Sequence, residues 1–336
     1  MTTALVTGSA GFIGFHCCRH LLESGWRVIG LDAMTDYYDV ALKRDRLARL
    51  APFDGFRQIT GRLEEPGLLR GIFAAHQPGI VIHLAAQAGV RHSIEAPREY
   101  LDSNIAGSFE LLEAAREFPP HHMLLASTSS VYGANTKMPY AETDRADHQM
   151  SFYAASKKAT EAMAHSYAHL HDLPTTMFRF FTVYGPWGRP DMAPHKFTRA
   201  ILEDAPIDVY NFGDMKRDFT FVEDLVAALC LLIEHPPVRP ADGRVPEGDS
   251  LSPVAPWRMV NIGNSQPMAL GDFIAAIEAA TGRIARKNLM PIQPGDVPAT
   301  WADAGLLKRL TGYVPQTDIA RGMARYVAWY RDYYKV

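Results

Sequence analysis

Two stretches of the chain carry residue types at spacings suited to proton transfer. Tyr153-Ala154-Ala155-Ser156-Lys157 sets a phenol and an ammonium four residues apart in an alanine-rich pattern, which places both side chains on one helix face. A phenol is a poor base at neutral pH, with an unperturbed pKa of about 10, and a neighbouring cation favours its anion. Tyr153 beside Lys157 is therefore equipped to exchange a proton with a substrate hydroxyl. Upstream, Ser127-Thr128-Ser129-Ser130-Val131-Tyr132-Gly133 follows the apolar run Met123-Leu124-Leu125-Ala126. A hydroxyl of that cluster, Thr128 by position, would share a hydrogen bond with the same substrate oxygen. Tyr-x-x-x-Lys also recurs in helices by chance, so its meaning depends on what the rest of the chain brings to it.

The elements that must position these groups form a regular alternation. Ala4-Leu5-Val6-Thr7 reads as a buried parallel strand. It leads into Gly8-Ser9-Ala10-Gly11-Phe12-Ile13-Gly14 and a helix to about residue 24. Glycines there let the backbone turn tightly and approach a pyrophosphate, which the helix N-terminus stabilises. A second strand ends at Asp32, 18 residues beyond Gly14. An acid at that place accepts the adenosine ribose hydroxyls and repels a 2′-phosphate, which favours NAD over NADP. Strand-like runs at 56–60, 80–85, 123–126 and 176–181 alternate with helical patterns, including 101–117 and 152–170. Such alternation predicts a parallel sheet with helices on both faces and ligands outside the carboxyl ends of the strands. The Gly8 loop, Asp32, Ala85-Ala86, the Ser127 cluster and the residues after Phe181 all converge on that edge.

Beyond Phe181 the texture changes. Residues 182–194 contain three prolines, two glycines and a Trp and read as loop with short structure. Arg217-Asp218-Phe219-Thr220-Phe221-Val222 opens another strand-to-helix unit ending near Glu234. The proline-rich, polar segment 236–256 reads as a mobile excursion. A strand at 259–262 and helices at 270–281 and 319–333 complete the chain. The expected organisation interleaves two units, 1–181 with 218–263 and 182–217 with 264–336.

Composition narrows the class of function. At 336 residues, 47% hydrophobic and 21% charged, the chain can bury a large core as a globular protein. A net charge of −3 without a basic block argues against nucleic acid and for a small-molecule partner. No stretch is long and apolar enough to span a bilayer, and no leader pattern precedes the first strand, so the expected location is cytoplasmic, away from membranes. Three cysteines make no disulfide framework, and Cys17-Cys18 reads as a pair of core thiols. His165, His169 and His171 lack an acid or Cys to complete a ligand set and read as a solvated helix face, as does the loop pair His121-His122, so no metal is expected. The aromatic end Trp329-Tyr330-Arg331-Asp332-Tyr333-Tyr334 reads as the docking face of a terminal helix. Arg91 reaches either substrate or an interface, and Arg189 has a possible partner in Asp191.

Taken together, these residues resemble the extended short-chain dehydrogenase/reductase family (NAD-dependent epimerases/dehydratases), and within it the uronate-epimerase branch. The likeness spans nearly the whole chain. It rests on the glycine loop, Leu84-Ala85-Ala86-Gln87-Ala88-Gly89-Val90-Arg91, Asn104-Ile105-Ala106-Gly107, the Ser127 cluster and the Tyr153–Lys157 stretch. More specific to the branch are Tyr184-Gly185-Pro186-Trp187-Gly188-Arg189-Pro190-Asp191-Met192, Arg217-Asp218-Phe219 and Gln293-Pro294-Gly295-Asp296-Val297. The resemblance implies an α/β fold, a Rossmann-type doubly wound parallel sheet with a smaller α/β substrate-binding domain. It implies NAD as cofactor and 4-epimerisation between UDP-glucuronate and UDP-galacturonate through a 4-keto intermediate. Thr128, Tyr153 and Lys157 would be catalytic, Lys157 also holding the nicotinamide ribose. Gly8, Gly11, Phe12, Ile13, Gly14 and Asp32 would hold the adenosine diphosphate, with Ala85 and Ala86 lining the cofactor site. Arg217 would meet the UDP phosphates, Asp296 the uridine ribose, and Ser129, Ser130, Thr182 and Arg189 the sugar carboxylate. A homodimer through the helices 101–117 and 152–170 is also implied.

Two positions depart from the relatives' pattern. Gly61 is followed by Arg62 where an acid often touches adenine, and Gln293 stands where galactose-type epimerases usually place Arg. Three rivals remain: a UDP-glucuronate decarboxylase, a UDP-glucose 4-epimerase and a non-catalytic NAD-binding module. Decarboxylases of the family place an acid after the strand-end Ser/Thr, whereas Ser129 and Ser130 stand there in this chain. Arg189 speaks against a neutral-sugar enzyme, and the intact Tyr153/Lys157 pair against a binding module.

Overall fold

A computed structural model of the chain describes residues 2–293 and 296–336; Pro294 and Gly295 of the run quoted above lie outside the described residues. The first half of the chain lays down β1 (Thr3–Thr7), β2 (Arg27–Asp32), β3 (Phe56–Thr60), β4 (Ile80–His83), β5 (His122–Thr128) and β6 (Thr175–Phe180). The chain leaves through β7 (Thr182–Tyr184), β8 (Pro206–Val209) and β9 (Lys216–Phe221), then returns as β10 (Trp257–Ile262). Seven strands make one parallel sheet in the order β10-β6-β5-β4-β1-β2-β3. Its inner strands are nearly continuous apolar runs because helices cover both faces. On one face, Phe15, Cys17, Cys18 and Leu21 of the 12–23 helix pack with Leu225 and Leu229 of the 222–233 helix. On the other, Leu111 and Leu112 of the 107–117 helix pack with Ala164 of the 152–171 helix and with Phe73. Strand order reverses between β1 and β4, and the crevice at their carboxyl ends is where such sheets bind ligands.

The smaller sheet is organised around β9, which pairs with β7, β11 (Pro267–Ala269) and β13 (Ala299–Thr300), while β12 (Arg286–Leu289) pairs with β8. A separate core forms there around Phe219 and Phe273, stacked at 4.1 Å, with Tyr184, Ile277, Met323 and Tyr326. Trp329 and Tyr333 of the 319–334 helix close on Trp187 at 5.4 and 5.1 Å, so the aromatic end docks that helix.

Within residues 182–194, the short structure is the strand Thr182–Tyr184. Several local readings need correction. The stretch 101–117 is not one α-helix, because Leu101–Ala106 is wound as a π-helix before the α-helix begins at Gly107. The 236–256 segment is pinned to its surroundings. Asp249 takes both edge nitrogens of Arg258 at 3.0 and 3.2 Å, and Arg239 donates to the His169 carbonyl at 2.7 Å. His165 lies 2.8 Å from the Ser252 hydroxyl, and His169 lies 2.7 Å from the Val254 carbonyl. His165 and His169 therefore fasten that segment from a helix face that stays solvated, with His169 and His171 exposed. His122 is buried in β5, against the Ile233 carbonyl and the Thr176 hydroxyl. Among the described residues no helix is long and apolar enough to cross a membrane, and no group of three or more His, Cys, Asp or Glu is placed to hold a metal.

Candidate active site

The glycine loop leaves β1 in a shape that side chains would block. Gly8 has φ +74°, and a Cβ there would stand 2.8 Å from the Ala85 backbone nitrogen; a Cβ on Gly14 would run into the Gly8 carbonyl oxygen. The helix that follows starts at Gly11 with no side-chain cap and no acid in its first turn, so its leading N–H groups suit an anion. Asp32 closes the cradle, accepting Ala10 N–H at 3.2 Å and Met34 N–H at 2.8 Å. The buried Lys43 stands 3.7 Å from Asp32; burial lowers the lysine pKa and Asp32 opposes that shift. A close backbone cradle with an acid at the next strand end fits the diphosphate and ribose of a dinucleotide.

The reacting groups come from β5 and the helix beside it. Ser151 caps the 152–171 helix by accepting Ala154 N–H at 3.1 Å, which sets Tyr153 in its first turn and Lys157 one turn on. The Lys157 ammonium donates to the Ala126 carbonyl at 2.9 Å, tying helix to strand. Burial brings the Lys157 pKa down to about 8, against an upward pull from Glu161. Tyr153 moves the opposite way from the sequence expectation. Burial raises its pKa, and the Thr128 hydroxyl and the Arg189 charge only partly offset this. In the chain alone the phenol is thus the favoured form, because desolvating a phenolate outweighs the surrounding donors. Past Thr128 the backbone makes a short turn, Ser129–Tyr132, with Thr128 Oγ accepting Ser130 N–H at 3.2 Å.

Farther along the cleft, Arg189 donates through Nε and Nη2 to the two carboxylate oxygens of Asp191 at 3.0 and 2.6 Å. The Tyr37 hydroxyl donates to Asp191 as well, at 3.3 Å. Arg217 spends its terminal nitrogens on the carbonyls of Val297 and Pro298, at 2.7 and 3.0 Å. Arg91, left open between substrate and interface, donates to Asp296 at 2.9 Å and covers the Tyr210 ring.

One cavity of about 1000 Å³ brings these groups together. It runs from Gly8, Gly11, Phe12, Ile13, Gly14 and Asp32, past Ala85 and Ala86, to Thr128, Tyr153 and Lys157. Ser129, Ser130, Thr182, Arg189, Arg217 and Asp296 line its other end. Tyr37, Lys43 and Asn104 carry no role in the sequence reading, and Asp191 enters it only as a partner for Arg189. Asn104, inside the π-helix, accepts Gln87 N–H at 2.8 Å and donates to the Gln87 carbonyl at 3.0 Å, bracing the Ala85-Ala86 wall. The quoted Asn104-Ile105-Ala106-Gly107 run was the one available signal for it.

The chain matches the NAD dependent epimerase/dehydratase family over residues 4–245. It is similar to a probable UDP-glucuronate 4-epimerase of Rhizobium meliloti, 52% identical over 334 residues, covering 98% of this chain and 97% of that one. It is also similar to UDP-glucuronate 4-epimerase 4 of Arabidopsis thaliana, 43% identical over 99% of this chain and 76% of that one. Among solved structures, it resembles the UDP-glucuronic acid 4-epimerase of Bacillus cereus in complex with UDP-glucuronic acid and NAD. There the TM-score is 0.88 at 30% identity, over 99% of this chain and 100% of that one.

Proposed function

Since the chain belongs to the NAD dependent epimerase/dehydratase family, we infer its reaction from that membership and from its cleft. It interconverts UDP-glucuronate and UDP-galacturonate, as an NAD-dependent 4-epimerase working through a 4-keto sugar. The observation that carries this reading is a single cavity lined by a dinucleotide cradle, a Tyr/Lys pair and a hydroxyl–guanidinium cluster. Incubation with UDP-glucuronate or UDP-glucose, followed by separation of the sugar nucleotides, tests it. UDP-galacturonate should form from the first, with little or no action on the second. Comparable rates on both would contradict the reading.

NAD, which Gly8, Gly11, Gly14, Asp32 and Lys157 would hold, would supply the hydride acceptor for C4 of the sugar and the donor that restores it from the opposite face. Tyr153 takes the 4-hydroxyl proton on its phenolate oxygen and gives it back as the alcohol re-forms. The Thr128 hydroxyl shares that oxygen and fixes its position. Lys157, anchored on the Ala126 carbonyl, keeps a positive charge one helical turn from Tyr153 and favours the anion that burial opposes. A 4-keto uronate is a β-keto acid and loses carbon dioxide when its carboxylate bond aligns with the ketone. Ser129, Ser130, Thr182 and Arg189 hold the carboxylate out of that alignment, while Arg217 meets the UDP phosphates and Asp296 the uridine ribose. A neutral sugar leaves these donors without a charged acceptor, the kind of mismatch by which sites reject an analogue.

Residues 218–221, placed by sequence with the NAD unit, pair within the smaller sheet as part of β9, so the interleaved units that bind NAD and the UDP-sugar are 1–181 with 222–263 and 182–221 with 264–336. Hydrogen-exchange protection dividing along those boundaries would support that split. The protein works as a homodimer in the cytoplasm. Leu101, Phe109 and Phe152 are exposed along the proposed interface helices, an apolar face that a second copy would cover. A monomer mass by sedimentation at micromolar concentration, or recovery outside the cytosolic fraction, would contradict these two assignments.

A further inference from the structure

We propose that Asp191, braced by Tyr37, is a positioning residue that sets preference for an acidic sugar by fixing which edge of Arg189 faces the substrate. This deepens the carboxylate reading above and rests on it. A guanidinium offers five N–H groups in a rigid plane. The side edge of Arg189, Nε with one Nη2 hydrogen, is filled by the two oxygens of Asp191. What remains is the end edge, and Nη1 makes no hydrogen bond among the described residues. That edge can hold a second carboxylate by two parallel, charge-assisted bonds. Pairing with Asp191 and contact with a sugar carboxylate are therefore compatible, since they use different edges of one side chain.

Tyr37 braces the pair from the cofactor side. Its hydroxyl donates to Asp191, and the Arg189 guanidinium carbon lies 5.7 Å from its ring centroid. Its ring packs in turn on His92 at 4.9 Å. Tyr37, Arg189 and Asp191 all line the cavity. An unbraced arginine would have several rotamers to lose on meeting a carboxylate, whereas this one is held before substrate arrives. Asp191 also meets the charge of a half-buried cation, so the site carries no stranded guanidinium between turnovers.

The test compares Asp191→Asn, Tyr37→Phe and Arg189→Ala with the unaltered protein. It measures KM and kcat for UDP-glucuronate and the dissociation constant of UDP, which has no sugar. Asp191→Asn keeps the shape but removes the charge and one acceptor. Its KM for UDP-glucuronate should rise about tenfold, the scale of one lost charge-assisted hydrogen bond. Tyr37→Phe should raise it less; kcat should move less than KM in both, and UDP binding should not move. UDP binding that weakens in step with the uronate would show a merely structural role and overturn the proposal. A KM at or below the unaltered value in Asp191→Asn would overturn it too, making Asp191 a competitor for the guanidinium. If Arg189→Ala leaves the uronate KM unchanged, the carboxylate reading itself falls. If Arg189→Ala is impaired while Asp191→Asn is not, only the role of Asp191 falls.

Discussion

Glu161 and Arg179 form a buried ion pair beneath the reacting groups, and breaking it from one side has a cost that follows from its geometry. Arg179 donates through Nε and Nη2 to the two Glu161 oxygens at 2.9 and 2.8 Å, and Ser127 Oγ donates to Glu161 at 2.6 Å. The two side chains are 4% and 3% exposed. Burial pushes the Glu161 pKa up, but the Arg179 hydrogen bond and charge outweigh it and hold the carboxyl below its usual range. A surface pair of this kind is worth at most about 1 kcal/mol, whereas removing one partner of a buried pair costs about 3–5 kcal/mol because a charge is stranded. Burial decides which figure applies, so Glu161→Gln should lose about 3–5 kcal/mol of unfolding free energy in urea at neutral pH. The double variant with Arg179→Met removes the stranded charge and should recover a large part of that loss. A loss below about 1 kcal/mol, the surface value, would refute the argument. Since the folded pKa of Glu161 is depressed, its contribution is full above the unfolded value and disappears as pH falls through the folded one. Glu161 also raises the Lys157 pKa. Removing its charge lowers that pKa, and the alkaline limb of the rate profile should move to lower pH. An unmoved limb would separate Glu161 from the chemistry.

Other outcomes follow from the same site. Protein purified without added cofactor should carry NAD, released by acid and identified enzymatically; mostly NADP would contradict the role given to Asp32. Asp32→Ala should weaken NAD binding by several kcal/mol at most, with about 1.5–3 kcal/mol for each charged hydrogen bond lost. Tyr153→Phe should cut turnover by the 10²–10⁴-fold typical of a general acid–base group, roughly, while UDP still binds; a variant keeping a tenth of the rate would count against Tyr153. Lys157→Met should be as severe and should also lower the NAD content of purified protein. Arg189→Ala should slow the uronate reaction and release some UDP-xylose, detected by chromatography; slowing without any decarboxylated product would limit Arg189 to binding.

The large sheet and the dinucleotide cradle were legible because their causes are local. A run such as Ala4-Leu5-Val6-Thr7, glycines at 8, 11 and 14 and an acid at 32 each imply their own geometry. What escaped reading depends on distance along the chain or on burial. Tyr37 meets Asp191 across 154 residues, and no periodicity announces that contact. Glu161 and Arg179 look like ordinary surface charges in sequence, and only the packing of β5, β6 and the 152–171 helix makes them a buried pair. The 236–256 segment is rich in the residues that mark mobile loops, yet Arg258, His165 and His169 fasten it from outside its own sequence. Tyr153 was correctly placed on one helix face with Lys157, but the sign of its pKa shift depended on desolvation, which spacing does not reveal.

The central claim is that configuration changes at C4 by removal and return of one hydrogen that never reaches water. UDP-glucuronate deuterated at C4, turned over in ordinary water, tests it directly. UDP-galacturonate should keep the deuterium on C4, read by mass spectrometry and proton NMR. Loss of that label to solvent during epimerisation would contradict it.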